Sequence, residues 1–261
     1  MVPHLILSPR NTDDMTRLSA TAKELGWTVE CLGGWRIAQS STPSERLAIY
    51  GEPLFVRVVA AQIGRVMLEP PHDWLVHLPF GLLQRRVEAL TLGELARLTW
   101  PRFLKPPDDK LFPAAVYESP NSLLARADLN ASEAVLASDP VRFVTEFRVH
   151  LLRGKALSCS RYCVDGELDT SSSDPDCIDA SHFAERVALE ANESTPPAVV
   201  VDVGRLESGV WAVIEANPCF GAGIYEGDVA GVLDVLLEAC RPIDESDPAL
   251  AAFKYPVVLD E

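Results

Sequence analysis

Between Ala198 and Pro218 two apolar runs, Ala-Val-Val-Val-Asp-Val and Val-Trp-Ala-Val-Ile-Glu-Ala-Asn-Pro, flank a glycine-bearing stretch from Gly204 to Gly209. Runs of β-branched residues around a turn read as two strands of a buried hairpin. A sheet with an apolar face must therefore be built in this part of the chain. Inside those runs stand Asp202, Glu215 and Asn217. A carboxylate or amide in such surroundings costs free energy unless it finds a partner.

The spacing suggests how the three meet. A four-residue turn over Leu206-Glu207-Ser208-Gly209 pairs Arg205 with Val210 and sets Asp202 opposite Val213. Glu215 is then diagonal to Asp202, and diagonal neighbours on one face lie roughly 7 to 8 Å apart. Asn217 joins them because residues two apart on a strand share a face. The reading depends on turn parity, since a turn one residue longer or shorter sends Asp202 to the other face.

Two carboxylates and an amide form a hard oxygen donor set, which suits Mg²⁺ better than a soft metal. Taken singly, each residue has an ordinary structural use. Asp202 can cap a strand end, Glu215 can pair with a nearby arginine, and Asn217 can open a turn with Pro218. Their joint placement favours the metal reading.

Two further patterns carry positive charge. The strand-like Arg102-Phe103-Leu104-Lys105 runs into Pro106-Pro107-Asp108-Asp109-Lys110, so Lys105 and Lys110 can sit along a polyphosphate or simply on a solvated loop. In Val144-Thr145-Glu146-Phe147-Arg148, alternation puts Glu146 and Arg148 on one face. They are either an ion pair or, in the sharper reading, a site where Arg148 meets a phosphate.

The net charge of -15 matters here. It argues against nucleic acid as the main partner, and it means that any triphosphate site must concentrate its few cations and recruit divalent metal. No leader-like segment opens the chain and no run reaches the length of a membrane span, so a cytoplasmic protein is expected. The cysteines at 31, 159, 163, 177, 219 and 240 lack a CxxC pair. They read as scattered reduced thiols, with a reactive Cys219 beside the candidate site as the alternative.

Upstream, Leu5-Ile6-Leu7, helical spacing of Met15, Leu18, Ala22 and Leu25, a stop at Gly26 and the strand Trp27 to Leu32 predict a β-α-β opening. The first βα turn has no GxGxxG, which disfavours a dinucleotide fold. Leu54 to Ile63 is rich in Val and Ala, Trp74 to Leu78 reads as a further strand, and Leu82 to Leu98 as a helix. Pro101 marks a change of character. Beyond it, Ala134 to Ala137, Phe147 to Leu152 and Ala156 to Tyr162 are expected strands, with a hairpin turn at Arg153-Gly154-Lys155. Asp169 to Asp176 reads as a polar loop and Ser181 to Asn192 as an amphipathic helix.

From Pro101 to Val235 these motifs resemble the ATP-grasp superfamily, and within it the clade named for one arginine and two lysines. Phe103-Leu104-Lys105-Pro106 with Lys110-Leu111-Phe112 is similar to the paired lysines, and Glu146-Phe147-Arg148 to the arginine motif. Asp202-Val203-Gly204 with Ile214-Glu215-Ala216-Asn217-Pro218 resembles the metal-binding end of enzymes such as D-alanine:D-alanine ligase. The thirteen positions from Asp202 to Glu215 and two more to Asn217 are the most specific part of the match.

The resemblance implies an α/β chain in which two α+β lobes grip ATP behind a small N-terminal α/β domain. It divides the chain into residues 1–98, the ATP-grasp domain over 99–245, and a tail over 246–261. It implies Mg²⁺ on Asp202, Glu215 and Asn217, phosphate contacts from Lys105 and Lys110, a catalytic role for Arg148 and Lys110, and nucleotide contacts at Glu146. Adenine would meet the backbone around Val135 and Ala137. The implied reaction joins a small-molecule or peptide carboxylate to an amine through an acyl phosphate. An ATP-binding regulatory module and a phosphotransferase are the alternatives, and a homodimer is compatible with all three.

Overall fold

The computed structural model describes residues 1–37, 45–107, 111–124 and 129–255. The chain opens with β1 (His4–Leu7), α1 (Asp13–Glu24), β2 (Thr28–Cys31), β3 (Leu47–Tyr50), α2 (Pro53–Gln62) and β4 (Arg65–Met67). There follow α3 (Phe80–Leu83), β5 (Val87–Thr91), β6 (Arg102–Lys105), β7 (Ala115–Tyr117), α4 (Asn121–Leu124) and β8 (Ala134–Ser138). The last part holds β9 (Phe143–Leu152), β10 (Lys155–Val164), β11 (Glu167–Ser171), α5 (Asp176–Glu190), β12 (Ala198–Leu206), β13 (Trp211–Asn217), α6 (Val229–Ala239) and β14 (Cys240–Pro242).

The β-α-β opening forms as expected. Thr12 caps α1 by accepting from the Met15 N–H, Asp13 and Asp14 favour its N-terminal dipole, and Met15, Leu18 and Ala22 are buried. β1 pairs in parallel with β2 on one side and β3 on the other. The Val- and Ala-rich segment becomes the helix α2, with Pro53 in its first turn and Phe55, Val56, Val59 and Ala60 inward. One apolar cluster joins this sheet, α1 and α2 to α6, so residues from both ends of the chain share a core.

Two expectations are corrected. Trp74–His77 is a short 3-10 helix, not a strand. The span 82–98 is not one helix: α3 ends at Gln84 in a left-handed conformation, β5 follows, and Leu92–Arg97 forms a 3-10 turn behind a Thr91/Glu94 capping box. Leu82 and Leu83 of α3, Leu90 of β5 and Leu92 and Leu95 of the 3-10 turn are buried from three different elements, because β5 pairs with β8 and tertiary pairing overrides local preference.

β5, β8, β6 and β7 form a four-stranded antiparallel sheet, and β11, β10, β9, β12 and β13 a five-stranded one. The Arg153-Gly154 turn between β9 and β10 has positive φ at both residues, 49° and 75°, as a tight hairpin requires. The predicted polar loop begins within β11, and α5 starts at Asp176, before the predicted Ser181. Under α5 lie Phe147, Val149, Val199, Val201 and Val203, with Phe183, Ala184 and Val187 facing them. Each large apolar side chain buried in this way stabilises the fold by about 1.5–3 kcal/mol. α6 covers part of the opposite face, and at Gly231 a Cβ would meet the Leu157 carbonyl at 2.3 Å, so only glycine allows this approach. Among the described residues no helix is long and apolar enough to cross a membrane.

Candidate active site

The hairpin that carries the acidic residues forms, but in a different register from the one expected. Arg205 pairs with Trp211, not Val210, and Val203 with Val213. Continued unbroken, that ladder would set Asp202 against Ile214 and turn Glu215 to the α5 side. An irregularity between Asp202 and Val203 absorbs one residue, so Asp202 stands directly opposite Glu215. The bulge restores the common face that the turn alone would have lost.

A bulge leaves backbone carbonyls without ladder partners. Here Arg85 supplies them: its guanidinium donates to Val213 O at 2.6 Å and Ile214 O at 3.1 Å, and also to Leu83 O at 3.1 Å. It is buried, which pulls its ionisation down to about 10 despite Glu215 nearby. The sequence reading missed Arg85. Its only signal was an arginine closing an apolar stretch, Leu82-Leu83-Gln84-Arg85.

On the restored face the polar groups converge. Asp202, 1% exposed, accepts from Arg148 Nε at 2.9 Å and Nη2 at 2.7 Å. Asn217 Nδ2 bridges the two acids, at 3.2 Å from Asp202 Oδ2 and 2.9 Å from Glu215 Oε1. Lys105 Nζ, reaching across from β6, donates to Glu215 Oε2. The guanidinium of Arg148 lies 5.4 and 5.2 Å from the ring centroids of Tyr162 and Tyr225, which stack on each other. Tyr162 Oη donates to Glu146 Oε2 at 2.6 Å, so Glu146 and Arg148 share a face without pairing directly.

Burial and charge oppose each other throughout this cluster. Burial pushes the Asp202 carboxyl up while Arg148 pulls it back. Burial works against the Arg148 charge, but Asp202 holds it well above its ordinary value. The Glu215 carboxyl is likewise disfavoured by burial, yet Lys105 and Asn217 bring it below the usual range.

Lys105 and Glu215 stand where two cavities meet. One, of about 280 Å³, is largely apolar, with Phe103, Ala137, Phe143 and Ile214 in its walls and Glu146 at its polar side. The other, of about 300 Å³, has a mixed wall in which Arg57, Glu69, His72, Arg148 and Asn217 alternate with apolar residues such as Pro71 and Trp74. Leu75 and Leu136 line both. Ala137 therefore reaches a cavity, whereas Val135 is 1% exposed in the core of the four-stranded sheet and lines neither. Lys110 lies outside the described residues. Cys219 is fully buried, and burial pushes its thiol up to about 12, which does not suit a nucleophile.

The loop after Asn217 is tied to α1 and β3 by residues without a local sequence signal. Asp14 accepts from Tyr50 Oη and from the Ile224 N–H, both at 3.1 Å, and Arg17 donates to the Tyr225 and Gly227 carbonyls. Tyr225, beside Arg148, sits at φ 52°.

As a set for a divalent cation, Asp202, Glu215 and Asn217 fit in chemistry: two carboxylates and an amide, all hard donors on one face. Among the described residues no three His, Cys, Asp or Glu side chains gather as a metal site; a cation held here would take Asn217 Oδ1 as its third oxygen, with the amide turned from the arrangement in which its Nδ2 faces the two acids. The cations Lys105 and Arg148 sit against the two acids, so the charges of these four groups balance.

Solved structures with this architecture identify the fold. A RimK domain ATP-grasp protein from Sphaerobacter thermophilus matches with a TM-score of 0.60 at 18% identity, covering 90% of this chain and 100% of that one. The D-cycloserine synthetase DcsG matches with 0.54 at 15% identity, covering 90% and 99%. D-alanine–D-alanine ligase from Bacillus anthracis, solved with ATP, matches with 0.52 at 13% identity, covering 92% and 96%. The architecture is thus the ATP-grasp fold. Residues 82–235, over half of the chain, match the ATP-grasp domain of family 2 in the clade named for one arginine and two lysines, and the chain belongs to that family. No curated protein matches it in sequence.

Proposed function

We propose that this protein is an ATP-dependent ligase that activates a carboxylate as an acyl phosphate and joins it to an amine. The observation that carries this reading is the single-face cluster of Asp202, Glu215 and Asn217 with Lys105 and Arg148 against it, placed between two cavities. Family membership and the ligase neighbours support it.

In this reading the adenine occupies the apolar cavity beside Ala137 and Phe143. Asp202, Glu215 and Asn217 hold Mg²⁺, which supplies neutralisation of the triphosphate charge. Lys105, with Lys110, turns its ammonium from Glu215 to the phosphates. Arg148 steadies the transferred phosphoryl group and the charge that develops when the amine adds. A carboxylate oxygen attacks the γ-phosphorus and ADP leaves. The amine then attacks the acyl carbon and inorganic phosphate departs. The small-molecule or peptide carboxylate enters through the second cavity, beside Arg57 and Arg148. The limits of the ATP-grasp unit at residues 99–245 belong to the same proposal.

The test is ADP release measured over panels of carboxylic acids, with hydroxylamine present to trap an acyl phosphate as hydroxamate. Acid-dependent ADP release with hydroxamate formation supports the ligase. ATP binding without ADP release on any acid identifies a regulatory module instead, and a stable phosphorylated product that no amine displaces identifies a phosphotransferase.

A further inference from the structure

Arg85 is a buried cation to which the proposed reaction gives no part. It stands between α3 and β5, just after Gln84, where a φ of 56° turns the chain. Its guanidinium is steadied by its own turn, through Leu83 O at 3.1 Å, and by the Phe143 ring, whose centroid lies 5.7 Å away. From there the same fork reaches β13, the edge strand of the five-stranded sheet.

In a regular strand successive carbonyls point to opposite edges. Yet Val213 O, at 2.6 Å, and Ile214 O, at 3.1 Å, accept from Nη1 and Nη2 of this one guanidinium. Two successive carbonyls on one edge are what the extra residue of a bulge produces. Ile214 is that residue, since Val213 pairs with Val203 and Glu215 with Asp202. A regular ladder would offer the fork only one of the two carbonyls, and it would turn Glu215 to the α5 side. The planar fork of Arg85 therefore fits the bulged register better than the regular one.

We propose that Arg85 is a positioning residue for the metal end: by holding Val213 O and Ile214 O on one edge, it selects the register that turns Glu215 towards Asp202 and Asn217. Its bearing on cation binding rests on the reading of those three residues as Mg²⁺ ligands, whereas its choice of register does not. Lysine at this position keeps the charge but replaces the fork with a point charge on a flexible stem, so it distinguishes the two registers poorly. Deleting Ile214 removes the extra residue. The ladder then runs without a break from the Val203 and Val213 pair to the Asp202 and Glu215 pair, and Glu215 keeps its face without help from Arg85.

The experiment compares the full chain with Arg85→Lys, with the Ile214 deletion and with the two combined. Mn²⁺ affinity in the presence of ATP is read by electron paramagnetic resonance, and the cross-strand nuclear Overhauser contacts of Asp202 are read without ligand. Arg85→Lys is expected to bind Mn²⁺ about 10–100-fold more weakly, the usual cost of losing a group that orients a metal ligand, and to move the Asp202 contact from Glu215 to Ile214. Val187→Ala, buried in α5 on the other side of the sheet, controls for lost stability and should leave Mn²⁺ affinity unchanged. On the Ile214 deletion, Arg85→Lys should have no further effect on either reading.

Wild-type Mn²⁺ affinity in Arg85→Lys, or an unmoved Asp202 contact, overturns the proposal, as does the same loss of affinity with Ile214 deleted. Where Arg85→Lys alone fails to fold, deletion of Ile214 should restore folding, and its failure to do so overturns the proposal as well. A wild-type chain that binds no Mn²⁺ with ATP defeats the metal reading instead, and the Overhauser contacts then decide the role of Arg85 by themselves.

Discussion

β9 and β12 present two unlike faces. Towards α5 they show Phe147, Val149, Val201 and Val203, closed against a helix with nothing polar among them. On the other side the same strands carry Arg148 and Asp202, joined from β13 by Glu215 and Asn217. The first face is interchangeable apolar packing, where loss of volume costs stability alone. The second is a network in which each charge is tolerable only because another stands beside it, so a single change is felt in chemistry, in stability, or in both. Strand alternation keeps the two apart, and one bulged residue in β13 determines whether Glu215 falls on the second.

The contrast breaks most plainly if the acidic face proves dispensable. Glu215→Gln keeps the shape but removes a charge and one of the two hydrogen bonds that Glu215 accepts, and it should cut Mg²⁺-dependent ATP turnover by on the order of 10³-fold, about 4 kcal/mol in the barrier, with a much smaller change in stability. Steady-state ADP release and a thermal melt check both halves. Arg148→Met strands the Asp202 carboxylate without its counterion, and loss of one partner of a buried pair costs about 3–5 kcal/mol. Urea unfolding measures it, and an Arg148→Met/Asp202→Asn double variant should lose less than the sum of its parts.

His150 is on the polar side of β9 but fully covered, and burial, with Arg148 adding to it, pulls its ionisation down to about 3. The unfolded chain takes up this proton near pH 6.5, so between those values it binds more protons than the folded one. Stability is therefore complete above about pH 6.5 and falls as the pH drops towards 3, by up to about 1.4 kcal/mol per unit. Unfolding titrations of His150→Gln should show a flatter profile over that window. On the apolar face, Val203→Ala should cost about 2 kcal/mol of stability with ATP affinity unchanged. Lys105→Ala should weaken ATP binding roughly tenfold and, by leaving Glu215 without its counterion, also cost about 1 kcal/mol of stability.

The parts of this arrangement legible in the sequence were those with a local signal. Met15, Leu18 and Ala22 announced α1, the Arg153-Gly154 turn announced the β9–β10 hairpin, and polar residues inside Val-rich runs pointed to Asp202, Glu215 and Asn217. Asp202 and Glu215 were expected on one face, which they share, but as diagonal neighbours across a regular ladder. They are direct neighbours across a bulge. A bulge is fixed by what satisfies its carbonyls, and here that is Arg85, 128 residues from Val213 in sequence. The false helix over 82–98 has the same origin, since β5 exists only because β8 pairs with it. The clamp of Asp14, Arg17 and Tyr50 on the 222–227 loop likewise joins residues with no local pattern to mark them.

The central claim, that Asp202, Glu215 and Asn217 hold the divalent cation that accompanies ATP, is tested most directly by Mn²⁺ binding, used as a stand-in for Mg²⁺ and followed by electron paramagnetic resonance with ATP present. The wild-type chain should bind Mn²⁺ together with ATP, and Glu215→Gln should bind it at least about tenfold more weakly, a change of about 1.4 kcal/mol. Equal Mn²⁺ affinity in the two proteins contradicts the account.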